Sequence, residues 1–197
     1  MTTLYEKVVA IELALREAGL PHAVGGALAL AYHVDEPRAT RDIDLNIFID
    51  AADARRGFEA LPPEVEWTDH DLDVAVRDGQ RRVYWGEHPV DVFYITHRFH
   101  REAALRVVEV PFEDTTIPIL AATELTVLKA FFNRTRDWAD IEAMLEAQTI
   151  DVHRALGWLV DLTGSDDERV ERLRELASRE LPAPTPRFAP ENENDEN

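Results

Sequence analysis

Asp42 and Asp44 stand two residues apart at the head of a stretch in which Ile43, Leu45, Ile47 and Ile49 alternate with Asp42, Asp44 and Asn46. A period of two is that of a β-strand with one face in the core. Both carboxylates therefore project from one face, while Ile43, Leu45 and Ile47 anchor the other. Two hard oxygen donors side by side suit Mg²⁺, which takes one or two protein carboxylates and completes its octahedron with water and phosphate oxygens. An isolated Asp-x-Asp is also what a solvated strand edge looks like, so its neighbours decide. Upstream lies Gly25-Gly26, between a strand candidate and the helix-favouring run Ala27 to Tyr32. Without Cβ atoms such a turn brings backbone N–H groups close to a phosphate, and a helix starting near Ala27 would aim its positive end at the same anion.

Four further positions join this pair as candidates. Asp91 is the one charge in Val90-Asp91-Val92-Phe93-Tyr94-Ile95, where a carboxylate needs a metal, an activated hydroxyl, or one of Arg77, Arg81 and Arg82. Lys129 is similarly isolated among the apolar residues of Leu125 to Phe132, at a place where Lys normally snorkels outward. Arg38 and Thr40 occupy the loop entering the Asp-x-Asp strand. There Arg38 could hold a phosphate and Thr40 could orient a water or a nucleotide oxygen. The run His97-Arg98-Phe99-His100-Arg101, taken with Arg134 and Arg136, is the best candidate for a local cationic patch that grips a nucleic-acid backbone.

The elements that must position these residues follow from periodicity and punctuation. Leu4, Val8, Ile11 and Leu15 predict an amphipathic helix over Leu4 to Ala18, ended by Gly19 and Pro21. Short strands are expected at His22 to Val24, Leu72 to Val76, Arg82 to Trp85, Val90 to Ile95, Arg106 to Val110 and Thr116 to Ile119. Gly86 to Pro89 is expected as a hairpin loop. Helices are expected at Ala51 to Leu61 and Arg98 to Leu105, and then throughout the back half: Glu124 to Asn133, Trp138 to Ala147, Val152 to Leu162 and Asp166 to Glu180. The last of these is expected to start on a Ser165–Glu168 capping box. The fold class is thus α/β, with an α/β core over 1–120, a helical region over 121–181 and a disordered acidic tail over 182–197.

The chain has 197 residues, with 21 Lys and Arg against 39 Asp and Glu and a formal net charge of −18. Binding to nucleic acid through a general basic surface is excluded by that balance, leaving only a local patch. Zero Cys removes disulfides, thiolate metal sites and thiol nucleophiles, and the His spacing matches no zinc motif. No apolar run approaches the length of a membrane span, and the first residues do not read as a secretion signal, so no membrane partner and a cytoplasmic location are expected.

Val24-Gly25-Gly26 followed by Arg38-Ala39-Thr40-Arg41-Asp42-Ile43-Asp44-Leu45 resembles the nucleotidyltransferase superfamily, and within it the AbiEii/MenT group of toxin-like enzymes. The likeness covers roughly the first 50 residues and recurs at Lys129 with Arg134-Thr135-Arg136-Asp137-Trp138-Ala139-Asp140. It implies a nucleotidyltransferase-like mixed sheet with flanking helices, Mg²⁺ held by Asp42 and Asp44, and an NTP bound by Gly25, Gly26, Arg38, Thr40 and Lys129. Asp91 as a third acid, Lys129 as neutraliser of the triphosphate, and Asp140 complete the implied catalytic set. It further implies transfer of a nucleoside monophosphate, often a pyrimidine, to the 3′ acceptor end of tRNA, with growth blocked and a cognate antitoxin protein as partner. Two other readings stay open: an antibiotic nucleotidyltransferase of aminoglycoside type, which the acidic composition suits, and a catalytically silent antitoxin or scaffold. Gly26 stands where many members of the superfamily have Ser.

Overall fold

In the computed structural model, residues 3–179 are described; the acidic tail expected over 182–197 lies outside them, as does the end of the last expected helix at Glu180. Among the described residues the strands are β1 (His22–Val24), β2 (Ile43–Asp50), β3 (Gln80–Trp85), β4 (His88–Ile95), β5 (Val108–Phe112) and β6 (Thr115–Ile119). They form one sheet in the order β3-β4-β2-β1-β6-β5. The sheet is mixed: β2 runs parallel to β4 and β1 to β6, while β1–β2, β3–β4 and β5–β6 are antiparallel.

The helices are α1 (Leu4–Glu17), α2 (Gly26–Leu30), α3 (Ala54–Glu59), α4 (Asp69–Asp78), α5 (Arg98–Ala104), α6 (Ala122–Phe132), α7 (Thr135–Glu146), α8 (Val152–Thr163) and α9 (Glu168–Ala177). The architecture is therefore α/β, a mixed six-stranded sheet with flanking helices followed by a C-terminal helical region. α1 begins at a Thr3–Glu6 capping box and buries Val8, Ile11 and Leu15, three of the positions its spacing singled out. Ile43, Leu45 and Ile47 of β2 are 0–1% exposed, as strict alternation requires. One buried apolar cluster runs from Val8 of α1 through the sheet to Leu176 of α9, so the helical back half packs on the same core as the sheet.

Several expectations need correction. Leu72 to Val76 is not a strand but the middle of α4, because Thr68 and Asp71 form a capping box and Gly79 ends the helix in the left-handed region. Its buried residues, Leu72 and Ala75, have helical spacing, and Val76 is exposed. The β3–β4 turn is tighter than a four-residue loop: Trp85 pairs with His88, leaving Gly86 and Glu87 to turn the chain, with Gly86 at φ +58°. β5 starts at Val108 rather than Arg106. Ala51 to Asp53 form a 3₁₀ turn ahead of α3 instead of its first turn. Finally, α9 is capped by Asp167, whose side chain accepts from the Arg169 N–H, while Glu168 accepts from Asn133 Nδ2. Ser165 takes no part in that cap, since its hydroxyl donates to Asp166.

Candidate active site

The parallel pairing of β2 with β4 places Asp44 directly beside Asp91. Side chains of such partners share a face, so Asp42, Asp44, Asn46, Asp91 and Phe93 look out from one side of the sheet. They line a cavity of about 660 Å³ together with Gly26, Ala27, Arg38, Thr40, Lys129, Arg134, Arg136 and Asp137. The volume is of the order of small-molecule sites. The cavity gathers nearly all the residues singled out in the sequence around the first turn of β2.

The Gly-Gly turn is held to this strand at close range. Gly25 donates its N–H to the Asp44 carbonyl at 2.7 Å, and Gly26 adopts φ +55°, where a Cβ would lie 1.8 Å from Asp44 Oδ2. Only glycine fits a left-handed backbone with a carboxylate at that distance. A serine in this backbone would be driven into Asp44. Helix α2 has only five residues, so any anion here would be met by the turn's backbone and by side-chain cations rather than by a long helix dipole. Thr40 supports the other end of the motif, its Oγ1 accepting the Asp42 N–H at 3.1 Å.

The electrostatics of the carboxylates differ sharply. Burial pushes the Asp44 pKa up from 3.8 to about 6, repulsion from Asp91 and Asp42 adds to the rise, and Lys129 and Arg134 oppose it. Asp91 has a partner of its own. Arg82, its cross-strand neighbour on β3, donates to both oxygens, at 2.8 Å through Nε and 2.6 Å through Nη2, and lies 3.7 Å from Asp42 Oδ2. Among the described residues no group of three or more His, Asp or Glu side chains is gathered into a ready-made metal site. The donor set that remains, two carboxylates on one strand face with open space before them, is what a Mg²⁺ ion shared with phosphate oxygens requires.

A buried ion cluster closes the far wall. Lys129 and Asp140 are each about 5% exposed, and Lys129 Nζ lies 2.5 Å from Asp140 Oδ2. Arg38 grips the same carboxylate with Nε at 3.0 Å and Nη2 at 3.1 Å. Burial works to raise the Asp140 pKa, but the hydrogen bonds from Arg38 and Lys129 outweigh it and hold the carboxyl below its usual range. Asp137 is not the N-cap of α7. It is the third helical residue, accepting the Arg134 N–H at 3.3 Å and lying 3.9 Å from Lys129. In this structure Lys129 and Arg38 therefore neutralise Asp140, whereas Arg134 and Arg136 reach the cavity with looser ties. Arg134 is 4.0 Å from Asp137, and among the described residues no carboxylate lies within ion-pair distance of Arg136.

The His97–Arg101 patch is not at this site. It follows the C-terminal end of β4, whereas Asp42 immediately precedes β2 and Asp91 lies in the N-terminal half of β4. Along β2, Asp42 and Asp50 are separated by roughly 26 Å at ~3.3 Å per residue, and Arg101 is paired to Asp50. Arg98 and His97 both face Asp161, so both arginines of the patch are matched by acids. Two features escaped the sequence reading. Asn46 was legible, being the next same-face position after Asp44. The ledge formed by Phe93 and Phe132, with ring centroids 5.9 Å apart and the Arg134 guanidinium 5.0 Å above Phe132, joins β4 to the end of α6 and has no local signal.

Because a divalent ion binds the ionised carboxylates, Mn²⁺ affinity is expected to fall about tenfold per pH unit below pH 6 and to level off above it. The folded chain holds a proton on Asp44 that the unfolded chain releases. The stability this group contributes is thus complete below about pH 3.8 and lost as the pH rises through about 6. Added Mn²⁺ should accordingly raise the melting temperature more at pH 7.5 than at pH 5, which calorimetric titration and thermal melts at the two pH values would read.

No family model matches the chain, and no curated protein matches it. Similar solved structures are of nucleotidyltransferase-like proteins. One is the lincosamide antibiotic adenylyltransferase LnuA with lincomycin bound, at TM-score 0.48 and 11% identity, covering 73% of this chain and 98% of that one. A second is the antibiotic-resistance factor ANT(2'')-Ia, at TM-score 0.44 and 19% identity over 88% and 90% of the two chains. A third is an antigenic nucleotidyltransferase-like protein from Paracoccidioides brasiliensis, at TM-score 0.41 and 15% identity over 84% and 92%. Likeness at these levels carries no weight for function, which rests on the cavity.

Among the described residues no helix is long and apolar enough to cross a membrane.

Proposed function

We propose that the protein is a Mg²⁺-dependent nucleotidyltransferase that moves a nucleoside monophosphate from an NTP to a hydroxyl acceptor at this cavity. The observation that supports it is the charge of the lining. Among the described residues, Arg134 and Arg136 reach the cavity with loose ties or none, beside the Asp42–Asp44 pair, whereas Arg38 and Lys129 are matched by Asp140, Arg81 by Asp71 and Arg82 by Asp91. Two cations without firm carboxylate partners beside a carboxylate pair suit an anion that arrives with a divalent ion.

Asp42 and Asp44 would hold the Mg²⁺, which when bound neutralises phosphate charge and polarises the reacting phosphoryl group. Gly26 and Ala27 would let the triphosphate approach the backbone, and Arg134 and Arg136 would face its oxygens. Lys129, Arg38 and Asp140 would fix that wall as one buried ion cluster. The acceptor oxygen would bond to the α-phosphorus as the bond to the bridging oxygen breaks and pyrophosphate leaves, with the acceptor proton passing to water. Positioning supplies most of the rate in such transfers.

For the acceptor, the AbiEii/MenT resemblance favours the 3′ end of tRNA, in a cytoplasmic toxin restrained by a cognate antitoxin. The loosely tied Arg134 and Arg136 agree better with a phosphate-bearing acceptor than with a polycationic antibiotic. The test incubates the protein with each labelled NTP, Mg²⁺ and either total tRNA or aminoglycosides. Label on tRNA, sensitive to periodate treatment of its 3′ end, is expected. Label on the antibiotic alone would replace tRNA by the second acceptor, and label on neither would argue for the silent scaffold.

A further inference from the structure

The unusual member of the site is Arg82. Its ion pair with Asp91 joins directly opposed residues of an antiparallel hairpin, and the Arg82 side chain is 47% exposed. Pairs of that exposure contribute little to stability, so a role in holding the fold does not account for it. Its place does. Both Asp91 oxygens are occupied by the guanidinium, which also lies 3.7 Å from Asp42 Oδ2. A fixed positive charge thus sits between the carboxylate of β4 and the pair at the head of β2. Taken by themselves, Asp42, Asp44, Asp91 and Arg82 carry two negative charges, the complement of one divalent ion, while Arg134 and Arg136 on the same cavity remain for a ligand's own negative charge. The wall behind is separately balanced, since Lys129 and Arg38 face Asp137 and Asp140. A second divalent ion at Asp91 would have to displace the guanidinium and then sit beside its charge.

We propose that Arg82 is a positioning residue that stands in for a second metal ion, holding Asp91 off the metal and restricting this centre to one divalent cation. The inference rests on the reading that Asp42 and Asp44 hold a divalent ion. In the absence of a cation at position 82, Asp91 becomes available beside Asp44, and three carboxylates on adjacent strands can take two ions.

The test counts bound Mn²⁺ by electron paramagnetic resonance on the full chain, with the metal alone and no nucleotide, at pH 7.5. Wild type is expected to bind one ion, Arg82→Gln two with spin coupling between them, and the double variant Arg82→Gln, Asp91→Asn one again. Arg82→Lys, which keeps the charge, should stay at one, and circular dichroism confirms that each variant is folded. Two ions on wild type, or one on Arg82→Gln, would overturn the inference while leaving the proposed function standing. No ion on wild type would overturn the metal reading of Asp42 and Asp44, and this inference with it.

Discussion

Replacing Asp44 by Asn is expected to abolish nucleotide transfer, by about three orders of magnitude or more, while making the protein more stable. The two effects share one cause. Asp44 is a carboxylate whose charged form is opposed by burial and by Asp91 and Asp42, which is why its pKa stands near 6 instead of 3.8. At ~1.4 kcal/mol per unit, holding that charge at neutral pH costs about 3 kcal/mol, and the side chain's residual contact with solvent brings the figure down to on the order of 1–2 kcal/mol. Asn keeps the shape and removes the charge. For a chain of this size the gain corresponds to several degrees in melting temperature. The same change removes half of the carboxylate pair that would hold the metal, and losing a charge-stabilising group from a phosphoryl-transfer site commonly costs a factor of 10³ or more. Thermal melts at pH 7.5 and label incorporation measured on one preparation would check both. A variant that lost activity by losing stability would move the two readouts in the same direction.

A residue held at a cost to the fold is legible in sequence because the pattern around it is strict. Ile43, Leu45 and Ile47 could occupy the core only if Asp42, Asp44 and Asn46 faced outward, so the strand, its register and its polar face came together. α1 was legible for the same reason of period. Leu72 to Val76 shows where period fails: Leu, Val and Val at alternate positions read as a strand, yet the cap at Thr68 and the glycine at 79 impose a helix that leaves Val76 in solvent. Local hydrogen bonding at the ends outweighed an apolar alternation too short to hold a register.

The charged partners were less legible, because each pairing is made across the fold. Asp140 lies 102 positions from Arg38, and its bonds to Arg38 and Lys129 depend on α6 and α7 packing beside the loop before β2. Nothing local announces that those two cations are already matched, leaving Arg134 and Arg136 to meet a ligand. Arg82 was one of three arginines available to Asp91. The choice among them is set by the two-residue turn at Gly86 and Glu87, which fixes the hairpin register and aligns Arg82 with Asp91, while Arg81 turns to Asp71 and Arg77 to Asp78.

Gly26→Ala should be nearly as damaging as Asp44→Asn but with the opposite effect on stability, and the contrast identifies the turn's role. The new Cβ would fall 1.8 Å from Asp44 Oδ2, 2.4 Å from its Cγ and 2.9 Å from its Cβ, and φ +55° is unfavourable for any residue with a side chain. The backbone penalty alone is on the order of 1–2 kcal/mol, and the contact must be relieved by moving either the turn or the carboxylate. Displacement of about 1 Å at a reacting centre costs about 10²-fold in rate, so transfer should fall by that factor or more, with a lower melting temperature. Combining it with Asp44→Ala separates the two contributions. The contacts to the carboxylate then vanish, leaving the one to Cβ and the φ penalty, so Gly26→Ala should cost measurably less stability in the Asp44→Ala background than in wild type. Strictly additive melting temperatures would mean that the turn and the strand do not press on each other. The close approach of Gly26 to Asp44, on which the proposed anion pocket beside Asp42 and Asp44 depends, would then be wrong.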